Sequence, residues 1–348
     1  MELEECLSIV AAGEDLSENQ SYAVADSLAS GDVDADLKAR FLTRLAQKGE
    51  SPPEVAGLAK RYRELARDPG LQEWQDEAID VCGTGGDKQH TFNISTTVTF
   101  VVAAAGIPVF KHGNRSITSK CGSSNLLEAL GVTILGDDAL LRSSMQELGF
   151  CFMFAPAFHP AFKEIVPVRQ ALAKKGQRTV FNILGPLINP AKPSFQLLGV
   201  FSDSVVELMA SAQQALGLKA GLIAHCDLGD RGGMDEFSAA GTNIARGFGS
   251  LREVAGKWTP EEMGIRSGPL DDLQGGDVDV NLEILNQLLD GKAQAALEDS
   301  VVVNAAAALY VAGRYSCIKD GVVEARELLL GGRTRAKIEQ TREFYQGK

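Results

Sequence analysis

From residue 78 onward, short apolar segments alternate with helical patterns, and no other feature constrains the fold as strongly. The apolar segments are 78–82, 107–110, 132–135, 150–155, 195–201 and 221–226, and helical patterns occur at 93–105, 138–148, 204–216, 281–289, 293–312 and 322–330. This alternation predicts a mainly parallel sheet flanked by helices. Because ligands on such sheets bind beyond the carboxyl ends of the strands, we expect the chemistry in the loops that follow the strands.

The first part of the chain has a different pattern, with no strand-like segment. Ser17 and Gln20 have the spacing of a capping box, and Leu37, Phe41 and Leu45 share one helical stripe. We therefore predict two domains. A small all-helical domain covers residues 1–72, joined by helices from later in the chain, and a larger α/β domain covers residues 73–348.

The charge and cysteine content restrict the partners. The 348 residues include 46 acidic and 34 basic side chains, giving a net charge of −12, which disfavours nucleic acid or an anionic membrane as the main partner. The 6 cysteines include no CxxC pair, so a zinc knuckle is not expected. No apolar run reaches the ~18 residues of a membrane span, and the N-terminus is acidic. We expect a cytoplasmic protein.

The loop after the first apolar segment is rich in glycine and ends at a polar helix start. It reads Gly83-Thr84-Gly85-Gly86-Asp87, and Asn93, Ser95 and Thr96 precede the helix. Backbone amides and a helix N-terminus bind anions, so the pattern predicts a phosphate site. It matches neither standard nucleotide motif, and a tight turn with ordinary capping is the alternative.

The loop after the second apolar segment concentrates positive charge in an acidic protein. Lys111, Arg115 and Lys120 occur within ten residues, with glycines and hydroxyl side chains between them. This composition is typical of a sugar-phosphate or polyphosphate site, and a solvated loop with scattered charge is the alternative. His112 alone is more often a structural residue than a catalytic one.

Two later features could complete an active site. Asp235 and Glu236 adjoin in a glycine-rich loop, which suits Mg²⁺ held together with substrate phosphates, although such a pair is more often a surface turn. Arg169 could contact a carboxylate through its planar fork, although a single helical arginine is usually exposed. The segment 178–190 is predicted to be an ordered structural loop near the site. With no Ser-His or Cys-His pattern, the chain points to transfer from a phosphorylated donor rather than hydrolysis.

The motifs also carry a family resemblance. GTGGD, TFNIST, KHGNRS, GSS, PVR, RTVFNILGPLINP, MDE and NAAAALYVAG occur in this order. In these motifs the chain resembles the anthranilate phosphoribosyltransferases of tryptophan biosynthesis. The resemblance implies an active site in the cleft between a helical and an α/β domain, a homodimer formed through helical-domain surfaces, and Mg²⁺ as cofactor. The implied reaction moves the phosphoribosyl group of phosphoribosyl pyrophosphate (PRPP) to the amine of anthranilate.

The resemblance also implies site residues, motif by motif. PRPP would contact Gly83, Gly86, Asp87, Thr91, Asn93, Ile94, Ser95, Thr96, Lys111, His112, Gly113, Asn114, Arg115, Ser116, Ile117, Thr118, Ser119 and Ser123. Anthranilate would contact Gly83, Asn114 and Arg169, with His112 and Pro156 lining its path. Ser95, Asp235 and Glu236 would hold Mg²⁺.

Some alternatives stay open at this point. The chain has Cys121 and Asn125 where the family usually has serine and aspartate, which leaves acceptor choice open. A sister phosphoribosyltransferase acting on another aromatic acid would keep the same donor loops. A relative that binds nucleic acid is disfavoured by the net charge of −12. The apolar stripe of Leu3, Leu7 and Val10 is expected to pack against the C-terminal helices and a second subunit.

Overall fold

The computed structural model describes residues 2–115 and 120–347. Its helices are α1 (Leu3–Ala11), α2 (Glu18–Ala29), α3 (Ala35–Lys48), α4 (Pro52–Glu64), α5 (Ile94–Ala104), α6 (Ser123–Ala129), α7 (Asp138–Leu148), α8 (Ala155–Phe158), α9 (Val166–Lys174), α10 (Phe181–Leu184), α11 (Val206–Ala215), α12 (Val278–Leu289), α13 (Ala295–Val311), α14 (Ile318–Leu330) and α15 (Arg333–Gln346). None of these helices is long and apolar enough to cross a membrane.

The strands form one eight-stranded sheet. They are β1 (Ile79–Gly83), β2 (Val109–Gly113), β3 (Phe150–Phe154), β4 (Phe195–Gly199), β5 (Ala220–Asp227), β6 (Gly233–Met234), β7 (Thr242–Gly249) and β8 (Ala255–Trp258). The order is β3-β2-β1-β4-β5-β7-β8, and β6 pairs with β5. Strands β1 to β5 are parallel and β6 to β8 are antiparallel. The predicted mainly parallel sheet is confirmed.

One predicted strand is wrong. Residues 132–135 form a loop between α6 and α7 instead of pairing in the sheet. The Val132 N–H donates to the Leu127 carbonyl at 2.9 Å, so it satisfies the C-terminal end of α6. Val132 and Ile134 are buried in the same apolar cluster as Leu127 of α6, and Leu135 is exposed. The sequence analysis also left out β7, β8 and α15.

Two apolar clusters cover the two faces of the sheet. Leu197 and Leu198 are neighbours on β4, and their side chains enter opposite clusters, as strand alternation requires. The Leu197 cluster contains residues of α5 and the C-terminal helices α12 to α15. The Leu198 cluster contains residues of α1 to α4 and of α9 to α11. The carboxyl ends of the parallel strands therefore lie between two layers of helices.

The N-terminal helices pack differently from the expectation for their apolar stripe. Leu3, Leu7 and Val10 are buried, and α1 contacts α3 and α2. Their cluster contains no residue of the C-terminal helices, so that part of the expectation is wrong. The Ser17–Gln20 capping box at the start of α2 is present. Helices α9, α10 and α11 contact α3 or α4, and the domain boundary at residue 72 stays a prediction.

Candidate functional site

The segment between β1 and α5, residues 84–93, is called the donor loop here, after the predicted PRPP site. Four of its residues have positive φ angles, namely Gly85 (68°), Gly86 (80°), Lys88 (64°) and His90 (55°). This region is open to glycine, but it is sparsely populated for lysine and histidine. Strained backbone of this kind clusters at ligand-binding loops, where the surrounding structure holds it.

The Asp235-Glu236 pair lies directly against the donor loop. The Gly85 N–H donates to Asp235 Oδ2 at 2.6 Å. A Cβ atom at Gly83 would lie 2.3 Å from the same oxygen, and one at Gly199 would lie 1.6 Å from the Asp235 carbonyl oxygen. Only glycine at the ends of β1 and β4 permits this approach. The pair is therefore part of the site at the sheet edge rather than an isolated surface turn.

Negative charge accumulates at this point. Burial and the neighbouring Asp87 raise the pKa of Asp235. Burial and Asp235 raise the pKa of Glu236, against the lowering effects of Lys111 and of a hydrogen bond from the Ser95 N–H. A cation bound between these carboxylates would remove the repulsion that raises their pKa values.

The donor atoms available to a metal are hard oxygens. Ser95, Asp235 and Glu236 supply a hydroxyl and two carboxylates near the start of α5. Within residues 2–115 and 120–347 no cluster of three or more His, Cys, Asp or Glu side chains is arranged to hold a metal ion. Mg²⁺ commonly takes one or two carboxylates and fills its other positions with water and phosphate oxygens, so the residues fit this ion.

Lys111 lies beneath the donor loop rather than on the surface. Its side chain is 2% exposed, and Nζ donates to the Val81 carbonyl and, at 3.1 Å, to Ser95 Oγ. In the part of the chain that the structure describes, no carboxylate lies within ion-pair distance of Nζ. The ammonium group therefore joins β1, β2 and the start of α5, and its charge acts on Glu236 of the acidic pair.

The residues at the start of α5 differ in the contacts that their side chains make. Asn93 Nδ2 donates to the Cys121 carbonyl and to Asn281 Oδ1, both at 3.3 Å. The Thr96 hydroxyl is buried and has no hydrogen-bond partner among the described residues. Ile94 is buried in the core. The Asn93 side chain thus ties the start of α5 to neighbouring segments, and the predicted PRPP contacts of all three residues stay predictions.

The basic loop that follows β2 is only partly described. Ser116, Ile117, Thr118 and Ser119 lie outside the described residues. Asn114 and Arg115 are exposed, and Arg115 forms an ion pair with Glu128 at 3.1 Å. Ser123 Oγ donates to the Asn114 carbonyl at 3.4 Å, and a Cβ atom at Gly113 would lie 2.5 Å from this hydroxyl.

Three further residues near the donor loop contact other parts of the protein. Thr91 pairs with Gln274 in an isolated β-bridge. Asn125, one of the two unusual residues, accepts the Gly122 N–H at 3.1 Å and so caps α6. The carbonyl of Cys121, the other one, accepts from Asn93. The buried Cys121 thiol lies 3.7 Å from the Gly122 carbonyl, so both side chains contact the backbone of Gly122 at the start of α6.

His112 points away from the donor loop because neighbouring residues of a strand face opposite sides of the sheet. Its Nε2 lies 3.2 Å from Nε2 of His159, which follows α8. Burial lowers the pKa of His112 well below its ordinary value, and burial lowers the pKa of His159 to about 4. Both rings are therefore uncharged near neutral pH, and they form a polar contact within an aromatic surrounding.

Arg169, on α9, lies next to this histidine pair. Its guanidinium group is 4.9 Å from the centre of the Phe181 ring and 5.8 Å from that of Phe162, and Phe162 contacts His159. Burial lowers the pKa of Arg169. No acidic side chain of the described residues forms an ion pair with it. A half-buried, rigidly stacked guanidinium without a counter-ion suits a ligand carboxylate.

Three residues of the site were missed by the sequence analysis. His159 is one, and Tyr62 of α4 is another, since its buried ring packs 4.8 Å from Phe162. Arg178 is the third, because its Nη2 donates to the Gly86 carbonyl at 2.9 Å. Arg178 opens the motif RTVFNILGPLINP, which could have pointed to it, whereas isolated His159 and Tyr62 gave no sequence signal.

An open cleft lies between the N-terminal helices and Arg178, whose guanidinium bonds Gly86 of the donor loop. Its volume is about 430 Å³, with Gln47 and Glu50 on one side and Arg178, Asn182 and Phe201 on the other. Pro156 is exposed at the start of α8, near the carboxyl end of β3. The predicted residues thus form two groups, one around the donor loop and one around Arg169, joined through Lys111 and His112 on β2.

Comparisons with known proteins identify the family of this chain. The profile of the glycosyl transferase family a/b domain matches residues 75–335, and that of the family's helical bundle domain matches residues 4–66. An anthranilate phosphoribosyltransferase of Desulfatibacillum aliphaticivorans is 38% identical over 346 residues, covering 98% of this chain and 98% of that protein. One from Deinococcus radiodurans is 41% identical over 320 residues, covering 92% of each chain.

Solved structures give the same result. The crystal structure of anthranilate phosphoribosyltransferase from Thermus thermophilus is similar with a TM-score of 0.88 and 39% identity, covering 98% of this chain and 99% of that one. The enzyme from Saccharomyces cerevisiae in complex with PRPP and Mg has a TM-score of 0.83 at 23% identity, covering 99% of this chain and 98% of that one. At that identity the second likeness concerns the fold alone.

Proposed function

This chain belongs to the anthranilate phosphoribosyltransferase family, and on that premise we propose that it transfers the phosphoribosyl group of PRPP to the amine of anthranilate. The products are N-(5-phosphoribosyl)anthranilate and pyrophosphate, within tryptophan biosynthesis. One observation carries the proposal, namely the contact of Asp235 with the Gly85 N–H at 2.6 Å. It brings the acidic pair to the glycine-rich loop, as a metal-assisted phosphoribosyl transfer requires.

The donor half of the site consists of the donor loop, the start of α5 and the basic loop. Backbone N–H groups near Gly83, Gly86 and Asp87 and the helix dipole of α5 favour the phosphates of PRPP. Lys111 adds a fixed positive charge beneath them, and Arg115 is exposed at the rim. The other proposed PRPP contacts are Thr91, Asn93, Ile94, Ser95, Thr96, His112, Gly113, Asn114, Ser123 and the segment 116–119.

Mg²⁺ would be held by Ser95, Asp235 and Glu236 together with PRPP oxygens. When bound, the ion neutralises the negative charge that grows on the pyrophosphate leaving group. The protein contributes the position of the carboxylates and the buried charge of Lys111. As pyrophosphate leaves, positive charge builds on the ribose until the acceptor amine bonds to it.

The acceptor half is the group around Arg169. We assign the anthranilate carboxylate to the Arg169 guanidinium, with Asn114 and Gly83 on the donor side and His112 and Pro156 along the path. The amine of anthranilate has a free lone pair at neutral pH, so it needs orientation more than deprotonation. The uncharged state of His112 and His159 fits a pocket for an aromatic ring with a single charged substituent.

We also propose that the enzyme is a cytoplasmic homodimer, as the family resemblance implies. The stripe of Leu3, Leu7 and Val10 gives no support to this, since it is covered within the chain. Sedimentation equilibrium at micromolar concentration tests the proposal directly. A mass of about twice 37.1 kDa supports the dimer, and a mass of one chain contradicts it.

The activity is tested by incubating the protein with PRPP, Mg²⁺ and anthranilate and following the loss of anthranilate fluorescence. We expect turnover that requires all three components and releases one pyrophosphate per anthranilate consumed. Other aromatic acids serve as rival acceptors in the same assay, with pyrophosphate release as the readout. Faster turnover of a rival acceptor would overturn the acceptor assignment and leave the donor half in place.

A further inference from the structure

Asn304 forms a two-point clamp on the backbone next to the acidic pair. This residue opens the motif NAAAALYVAG, to which the sequence analysis gave no role, and it lies within α13. Its Oδ1 accepts the Phe237 N–H at 3.1 Å, and its Nδ2 donates to the Phe237 carbonyl at 2.7 Å. The side chain is 1% exposed, so these bonds are shielded from water.

Two more buried side chains hold the residues that follow. Ser300, one turn before Asn304 on α13, accepts the Ala239 N–H at 3.0 Å. Asn243 of β7 accepts the Ser238 N–H at 2.7 Å and donates to the Ser238 carbonyl at 2.9 Å. Each residue from 237 to 239 is therefore bonded to a buried polar side chain, although this segment is neither helix nor strand.

The clamp begins at the residue after Glu236. A planar amide that bonds both the N–H and the C=O of one residue fixes the position and the direction of that peptide. On the opposite side, Gly83 and Gly199 bring β1 and β4 against Asp235. The backbone of the two acidic residues is thus held between the sheet edge and α13. Groups that are fixed in this way before binding can bind a metal–phosphate complex without reordering.

We propose that Asn304, assisted by Ser300, is a positioning residue that holds Asp235 and Glu236 in the geometry needed to bind Mg²⁺ with PRPP. Because Asn304 is buried within the protein, it acts through the backbone of Phe237. The proposal rests on the proposed function for the identity of metal and donor. The proposal adds that α13, which is distant in sequence from both phosphate loops, positions the carboxylates of the metal site.

The test compares Asn304→Ala and Ser300→Ala with wild type and with Thr334→Val as matched control. Thr334 is also fully buried and also bonds a backbone carbonyl, that of Leu328, but it lies at the start of α15. The first readout is binding of Mn²⁺ in the presence of PRPP, followed by electron paramagnetic resonance without any acceptor. The second is steady-state kinetics with varied Mg²⁺, PRPP and anthranilate, and melting curves report folding.

We expect Asn304→Ala to weaken Mn²⁺ binding with PRPP and to raise the Mg²⁺ concentration for half-maximal rate by about tenfold. Ser300→Ala should act in the same direction by about threefold, because it loses one bond to the segment after Glu236 where Asn304→Ala loses two. The KM for anthranilate should stay within about twofold in both, and Thr334→Val should bind metal normally.

Folded Asn304→Ala or Ser300→Ala protein with wild-type Mn²⁺ binding would overturn the proposal. An equal weakening of Mn²⁺ binding by Thr334→Val would also overturn it, because it would indicate a general loosening of the C-terminal helices. If Asn304→Ala does not fold, Mn²⁺ binding by Ser300→Ala tests the proposal instead. The metal-binding readout needs no anthranilate, so failure of the proposed acceptor in the kinetic assay is distinguishable from failure of the clamp.

Discussion

Lys111 Nζ donates to Ser95 Oγ across 3.1 Å, which joins the second strand of the sheet to the start of α5. From the sequence, these two residues belong to separate phosphate loops. In the structure they form one unit, because Ser95 also approaches Glu236 through its backbone N–H. The position of the Ser95 hydroxyl, which we propose as a Mg²⁺ ligand, therefore depends on a buried lysine.

Replacing Lys111 should affect donor use before acceptor use. Lys111→Ala removes the donor to the Val81 carbonyl and to Ser95 Oγ, and with it a charge-assisted contact of about 1.5–3 kcal/mol. We expect at least a tenfold loss in kcat/KM for PRPP. The measurement is steady-state kinetics with each substrate varied. Lys319→Ala, an exposed lysine of α14, is the control, and unchanged PRPP kinetics in Lys111→Ala would remove this residue from the donor site.

Replacing Arg169 should raise the KM for the acceptor, anthranilate. Losing its charge-assisted contact to the anthranilate carboxylate should cost roughly 1.5–3 kcal/mol, which is about ten- to a hundredfold in KM. Arg169→Ala should show this increase for anthranilate and little change for PRPP. Arg169→Lys should recover only part of the affinity for anthranilate. The point charge of lysine cannot stack on Phe181 and present a planar fork to the carboxylate.

The control for Arg169 is Arg252→Ala, which removes an exposed arginine paired with Glu253 at 3.3 Å. It should leave both KM values unchanged. Equal increases for the two substrates in Arg169→Ala would instead show that the arginine supports the aromatic cluster of Tyr62, Phe162 and Phe181.

The acidic pair should destabilise the metal-free protein at alkaline pH. Because burial raises the pKa of Asp235, to about 7, the native state holds a proton that the unfolded chain, with a pKa of about 3.9, has lost. Unfolding free energy therefore rises as the pH falls from about 8 to 6. Asp235→Asn should flatten this slope, melt at least about 2 °C higher at pH 8 without Mg²⁺, and lose Mg²⁺-dependent activity.

Asp230→Asn is the matched control, since Asp230 is exposed in the segment leading to the pair. It should keep both the pH slope and the activity. A wild-type slope in Asp235→Asn would mean that this carboxyl titrates as if it were in water.

The sequence predicted the parts of the fold that depend on local pattern. Continuous apolar segments identified β1 to β5 because strands buried on both faces need such runs. Residues 132–135 have the same composition, yet they form a loop in which the Val132 N–H bonds the Leu127 carbonyl of α6. Strand β7 reads TNIARGFG and was missed, because its mixture of polar residues and glycine hides the alternation.

The residues of the candidate site likewise divide into those that a local sequence pattern predicts and those that it does not. Glycines, the acidic pair and the basic residues were identified because their chemistry is visible in short motifs. Asn304 contacts Phe237, 67 residues away, through backbone atoms that have no sequence signature. His159 meets His112 across 47 residues, and nothing in either local segment predicts the other. Contacts of this kind follow only from the three-dimensional packing.

The histidine pair gives the last prediction, which concerns acid stability. Burial lowers the pKa of His159 to about 4, whereas an unfolded histidine titrates near 6.5, so the unfolded chain binds more protons between these values. The free energy of unfolding should therefore fall as the pH drops from about 6.5 towards 4, with His159 contributing about 2 kcal/mol of the loss between pH 7.5 and 5. Urea unfolding at the two pH values measures it. His159→Asn should reduce the pH dependence by that amount, while His90→Asn, which changes an exposed histidine, should keep it. A wild-type pH dependence in His159→Asn would show that this imidazole takes up its proton without opening the aromatic cluster.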